Sequence, residues 1–145
     1  MSGLANTTES NERLLSLFAH ISHFLGGIII PIIFWAVNKD KSKFVTFHSL
    51  QALWFHISLS TLNLGIGIFL GGFFGILTGI YKHNHRNSND PYLVTALAIF
   101  FAFFIFSFIS AGAYSIYMGI KAYHGELKKY PIIGKMVYKR VYGNV

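Results

Sequence analysis

The chain has 145 residues, with hydrophobic residues at 53% and charged residues at only 12%, roughly half the ~25% usual in soluble domains, so it holds one domain or one small bundle. It contains no cysteine, which excludes disulfides, thiolate metal sites and a cysteine nucleophile. The net charge of +7 does not point to nucleic acid, because the Lys and Arg residues sit in short segments between long apolar runs, as membrane topology places them.

Residues 1–11 are polar and without periodicity, and are expected to form a disordered tail. Ser10 or Asn11 is placed to cap a helix that starts near Glu12. The features of a cleaved leader do not appear, so the first apolar run is expected to serve as the targeting signal itself. That run, Leu14 to Val37, holds about 24 residues free of Asp, Glu, Lys and Arg, about 36 Å as a helix, enough for a ~30 Å hydrocarbon core. Gly26-Gly27 and Pro31 interrupt it, leaving either a kinked span or a re-entrant hairpin. Glu12, Ser16, His20, His23 and Gly27 share one helical face, a polar stripe that should turn inward.

A short basic loop follows, with Lys39, Lys41 and Lys43 against Asp40. From Phe44 to Tyr81 about 38 residues lack any charge, nearly twice what one span needs. The first dozen are therefore expected to lie as an interfacial helix, with the span proper starting near Phe55. Residues 81–91 are rich in Asn, Ser and Asp and close on Asp90-Pro91, which predicts a turn. The last span runs from Tyr92 to Ile120, with a Phe-rich centre. Residues 123–145 mix Lys, Arg, Tyr and apolar residues, and read as a basic amphipathic tail broken at Pro131.

The expected fold is therefore all-α: a polytopic transmembrane helical bundle over 12–122, with three spans, the first kinked or re-entrant. Lys39, Lys41, Lys43, Lys121, Lys128, Lys129, Lys135, Lys139 and Arg140 then share one side, against Arg13, Lys82 and Arg86 on the other. That bias places the 38–43 loop and the C-terminus in the cytoplasm, in a multi-pass protein of the cell membrane. Anionic headgroups are the expected neighbours of the basic loop and tail.

Gly67, Gly71, Gly75 and Gly79 recur every fourth residue and expose backbone along one helix face. In an antiparallel hairpin that face meets Phe100, Phe101 and Phe104, so large-into-small packing or a contact between copies is expected. Ser107, Ala111, Ser115 and Gly119 make a second small stripe, which the same register sets opposite His56, Ser60 and Asn63. The candidate polar interior thus comprises Glu12, His20, His23, His48, Gln51, His56 and Asn63. Interhelical hydrogen bonding is one reading of it, and a hydrophilic cavity or proton relay is the other. No span carries an acidic residue to complete a metal site. No catalytic triad, paired carboxylate or phosphate loop is present, so neither enzyme activity nor a cofactor is expected.

Three strings carry a family resemblance: ERLLSLFAH at 12–20, KDKSKFVTFHSLQALWFHI at 39–57, and AYHGELKKYPII at 122–133. The matching residues are Glu12, Arg13 and His20, then Lys39, Phe47, His48, Gln51, Ala52 and Phe55, then Ala122, Gly125, Tyr130 and Pro131. The chain resembles a bacterial family of small polytopic membrane proteins related to the magnetosome protein MamF and similar to the Tic-type import component of the chloroplast inner envelope. The resemblance implies a helical bundle in a membrane, with roles in organelle biogenesis or protein import. His48 and Gln51, one turn apart past the basic loop, would bind the Glu12–His20 stripe or the segment near Tyr130 and Pro131. A non-enzymatic accessory component of a membrane complex, in translocation or membrane biogenesis and joined to a protein partner or further copies of itself, is the leading expectation. A small proton or cation transporter with a histidine-lined interior, and self-protection against a membrane-active peptide, are the alternatives.

Overall fold

The computed structural model describes the backbone of residues 2–84 and 91–143, and the side chains of 9–83 and 93–143. Those residues form five helices and no strand: α1 (Ser2–Ile21), α2 (Ile29–Asn38), α3 (Lys43–Asn84), α4 (Pro91–Tyr123) and α5 (Ile133–Tyr142). They divide into two compact units, Met1–Ser58 with Ala111–Val145, and Leu59–Ser110. Two stretches are long and apolar enough to cross a membrane, Lys43–His83 and Leu93–Tyr123.

In the first unit the apolar run 14–37 does not form one span. α1 stops at Ile21, and residues 22–28 turn the chain back. Gly27 adopts φ +51, which a residue bearing a Cβ rarely does. Its N–H donates to the Ser22 carbonyl at 2.7 Å, and the Ser22 hydroxyl donates to the Ala19 and Gly27 carbonyls at 2.8 and 3.2 Å. The turn's main-chain polar groups are thereby satisfied inside an apolar segment. Pro31 falls in the first turn of α2, where its missing N–H breaks no helical bond.

The contacts give the direction of each helix. His20 meets His48 and the His23 ring lies beside His56, so α1 runs parallel to the start of α3. The Gly27 carbonyl meets His56, and the Asn38 carbonyl accepts from Thr46 Oγ1 at 3.1 Å, so α2 runs back against α3. Glu12, Arg13, Phe44 and Gly125 line one pocket of about 200 Å³. The early part of α1, the start of α3 and the segment after α4 therefore lie at one end of this unit. A continuous helix over 14–37 would have put Arg13 and Phe44 at opposite ends; α1 and α2 instead form a hairpin, because the Gly26-Gly27 turn closes on its own hydrogen bonds.

Other expectations also change. α1 begins at Ser2, within the stretch expected to be a disordered tail, and a Glu9–Arg13 ion pair one turn apart supports its later part. No helix break separates residues 44–55 from the rest of α3. Instead of lying on a membrane surface as a separate interfacial helix, these residues are covered by protein, with Val45, Phe47, His48, Ser49, Gln51 and Ala52 fully buried. Ser42 starts α3, its hydroxyl accepting the Val45 N–H at 3.2 Å as an N-cap does.

The core of the first unit comprises Phe47, Leu50, Leu53 and Val137, with Ile28, Trp35, Ile133, Tyr138, Val141 and Tyr142 packed against it. α5 thus buries its apolar face in protein. Small residues of α4 seat α1 and the turn after it: a methyl at Gly112 would collide with the Phe24 ring, and one at Gly119 would come within 2.9 Å of Leu17. α4 ends in a Schellman motif at Gly125 (φ +80), with Gly125 N–H to the Ala122 carbonyl at 2.9 Å and Glu126 N–H to Lys121 at 3.0 Å.

The second unit is an antiparallel pair made by the later part of α3 and the first part of α4. A methyl at Gly67 would meet Phe104 at 3.2 Å, but one at Gly71, Gly75 or Gly79 would find nothing within 4 Å. Gly71 and Gly75 instead line an open apolar groove of about 290 Å³ with Phe74, Thr78, Leu93, Ala96, Leu97 and Phe100. Phe101 points outward, 61% exposed. The turn expected at 81–91 falls for the most part on residues outside those described.

Candidate functional site

The site lies in the first unit, where α1, the start of α3 and the segment 124–131 meet. His20 comes from the last turn of α1, and His48 and Gln51 from one face of α3. Tyr130 comes from the irregular segment that the Gly125 cap turns back over α3. His20, His48 and Gln51 are fully buried and Tyr130 nearly so.

Gln51 clamps the irregular segment by its main chain. Its Nε2 donates to the Lys128 carbonyl at 3.1 Å, and its Oε1 accepts the Tyr130 N–H at 2.9 Å. A strap exposed at 126–129 and buried at Tyr130 is thereby given the two bonds a neighbouring strand would supply. Gly134 closes over the clamp. A methyl there would lie 2.6 Å from Gln51 Oε1 and 2.8 Å from Lys129 Cα, so only glycine lets α5 dock.

Beside the clamp runs a chain of titratable groups. The Tyr130 hydroxyl lies 3.2 Å from His20 Nδ1, and His20 Nε2 lies 3.0 Å from His48 Nδ1. The Ser115 hydroxyl faces Tyr130, and the Glu126 main-chain carbonyl faces the His48 ring. The two contacts fit a chain in which Tyr130 donates to His20 Nδ1 and His20 donates from Nε2 to His48 Nδ1, while His48 Nε2 and the Ser115 hydroxyl are buried without a hydrogen-bond partner among the described residues. Burial, more than the neighbouring His48 and His56, lowers the His20 pKa well below its ordinary 6.5. Burial likewise raises the Tyr130 pKa, against the opposing Ser115 contact. Both groups are held neutral. Phe55 stacks on the Tyr130 ring at 4.6 Å and 16°, and Tyr114 meets it edge-on at 5.3 Å.

A second histidine pair lies further along. The His56 and His23 ring centroids are 5.4 Å apart, and His56 Nδ1 donates to the Gly27 carbonyl at 2.9 Å, tying α3 to the turn between α1 and α2.

The structure brings together His20, His23, His48, Gln51, His56, Ser115, Gly119 and Tyr130 from the residues named by sequence. Asn63 stands apart: it belongs to the second unit and donates to the Leu59 carbonyl one turn back, at 2.9 Å. Ser107 is also in that unit. Ala111, Ser115 and Gly119 lie in the first unit; Gly119 faces Leu17 and His20 of α1 and Ser115 faces Tyr130, where the His56–Asn63 face was expected. Glu12 is half-buried at the rim, in the pocket with Arg13 and Gly125. Arg13 lies over Gly125, its guanidinium 3.1 Å from where a Cβ would be. Pro131 is exposed and ends the clamped segment. Gly134 and Ser42 were missed by sequence reasoning. The signal for Gly134 was a glycine three residues after Pro131 at the start of a helix that buries its face. Among the described residues no group of three or more His, Asp or Glu is placed to hold a metal ion.

No curated protein and no solved structure matches the chain. A protein-family model does, over residues 11–137, a stretch that takes in both histidine pairs, the Gln51 clamp and Gly134. The chain therefore belongs to the MamF/MmsF family, the magnetosome magnetite crystal formation protein family.

Proposed function

We propose that this membrane protein is a non-enzymatic structural component of a membrane complex that serves membrane or organelle biogenesis. The observation that carries the reading is the use made of the polar interior. Gln51 bonds to the Lys128 carbonyl and Tyr130 N–H, His20 to Tyr130 and His48, and His56 Nδ1 to the Gly27 carbonyl, all groups of the chain itself. Such bonds pin the ends of helices together and suit a rigid platform. Membership of a magnetosome-formation family supports the same class of role. On this reading the 38–43 loop and the C-terminus face the cytoplasm, and partner proteins or further copies bind in the membrane.

The test is native mass spectrometry and blue-native electrophoresis of the protein extracted from its own membranes in mild detergent. A defined assembly of more than one chain, lost when Gln51 is replaced by Ala, supports the reading. A single chain under all extraction conditions overturns it.

The Tyr130–His20–His48 chain favours a second reading, proton transfer, since each member can both give and take a proton. Proteoliposomes loaded with a pH-sensitive dye decide between the two. Flux abolished by His20→Ala and by Tyr130→Phe supports proton transfer, and no flux under an imposed gradient removes it.

A further inference from the structure

We propose that Ile132, with Met136 one helical turn later, forms a membrane-seated tip that inserts at headgroup level into an anionic bilayer surface. The two residues stand out because α5 otherwise buries its apolar side chains. Val137 is in the core and Ile133, Tyr138, Val141 and Tyr142 pack against it, while Ile132 is 87% and Met136 53% exposed.

Ile132 is also held in an unusual backbone. Its φ is 64° and its ψ −66°, and the Ile133 N–H closes on the Pro131 carbonyl at 2.7 Å. This is a γ-turn of the rare, strained hand, with a β-branched residue at the position that least tolerates positive φ. Ile132 gains little packing within the chain in return. Strain of this kind persists where a residue is presented to something else.

The surroundings name the partner. Lys128, Lys135, Lys139 and Arg140 are all exposed around the tip. Glu126, the one acidic residue of the segment from 124 to 143, is paired to Lys121 at 3.0 Å. An apolar point flanked in sequence by exposed cations matches an anionic interface, where acyl chains take the point and phosphates the cations. Reach matches as well. Ile132 lies nine residues beyond Tyr123, the end of a candidate span, which tethers it within about 30 Å of that span's end. The Gln51 clamp fixes the approach of this segment, so the tip is presented by a rigid base.

The absence of native cysteine makes the test direct. Single cysteines at Ile132, Met136 and Lys139 are labelled with the fluorophore NBD and reconstituted in phosphatidylcholine vesicles with or without phosphatidylglycerol. Circular dichroism melts confirm that each variant is folded, which Ile132→Cys should be, since the side chain is exposed. In anionic vesicles NBD at 132 and 136 should shift to the blue and be quenched by lipids carrying a nitroxide near the headgroup, while NBD at 139 is quenched by aqueous iodide. Replacing Lys128, Lys135 and Lys139 by Gln in the Ile132→Cys and Met136→Cys proteins, or omitting phosphatidylglycerol, should cut the lipid quenching about threefold or more. Aqueous emission with full iodide quenching at 132 in anionic vesicles overturns the proposal. Shielding from iodide without quenching by lipid overturns it too, because it assigns the tip to a protein contact. None of these outcomes depends on the complex proposed above.

Discussion

Gln51 holds Tyr130 by its main chain, its Oε1 accepting the Tyr130 N–H at 2.9 Å, while the ring of the same tyrosine reaches across to His20 at 3.2 Å. One side chain of α3 thus places the residue that links the tail to α1.

Replacing Gln51 by Ala should free the clamped segment. Both hydrogen bonds go and a buried N–H and carbonyl are left unmatched, a loss of about 2–4 kcal/mol. Limited proteolysis in detergent should show new cleavage at Lys128 or Lys129, with α3 and α4 intact. An unchanged digestion pattern would contradict the clamp.

Gly134 and Gly75 should respond in opposite directions to the same substitution. Gly134→Ala forces a methyl against Gln51 Oε1 and the Lys129 backbone, and should lower stability by about 1–3 kcal/mol through overpacking. Gly75→Ala meets nothing within 4 Å and should stabilise α3 by up to ~1 kcal/mol from helix propensity. Thermal melts of the two variants, measured side by side, check the contrast.

Acid should loosen the first unit. The His20 pKa is lowered from 6.5 by burial, so between the lowered value and 6.5 the unfolded chain binds more protons than the folded one. Stability is complete above 6.5 and falls as pH drops through that window, by up to about 1.4 kcal/mol per pH unit for this one group. His20→Gln should flatten the slope of melting temperature against pH below 6.5. A slope unchanged by that substitution would show that His20 does not carry the effect.

Tyr130→Phe separates the hydroxyl from the ring. It keeps the stack on Phe55 and loses the bond to His20, for a cost of about 1–2 kcal/mol, whereas Tyr130→Ala should cost about 3–5 kcal/mol. The raised pKa of Tyr130 carries the opposite sign from that of His20. Its contribution is complete below 10.0 and is lost as pH rises beyond, and Tyr130→Phe should remove that alkaline slope.

The all-helical class and the identity of the polar residues could be read from composition and periodicity, because a stripe such as Glu12, Ser16, His20 and His23 must turn inward whatever it meets. The partners could not. A shared helix face says that His20 is buried, not that it meets His48 on one side and Tyr130 on the other. The turn at Gly27 was left open for a similar reason: a glycine pair and a proline weaken a span, but the Ser22 bonds that let it close appear only in three dimensions. Asn63 misled because an amide in a helix can satisfy itself on the carbonyl one turn back, as it does at Leu59. The glycine ladder misled more simply. Four-residue spacing guarantees a bare face, and only at Gly67 does a neighbour come close enough to use it.

Topology gives a further test. A re-entrant α1–α2 hairpin predicts that single cysteines at Asn11, Lys41 and Gly143 label from one side of sealed vesicles, and one at Ser88 from the other. Labelling of Asn11 together with Ser88 would restore a full first crossing.

The turn at Gly27 also bears on how the chain enters its membrane. On the proposed topology a segment that dips and returns carries nothing polar across, which leaves the stretch near 82–90 as the one to be translocated between Glu9 and Gly143. Its charged residues, Lys82, Arg86 and Asp90, sum to +1. Insertion on that topology reduces to passing one short loop of low net charge, while the lysine-rich segments remain on the side from which they started.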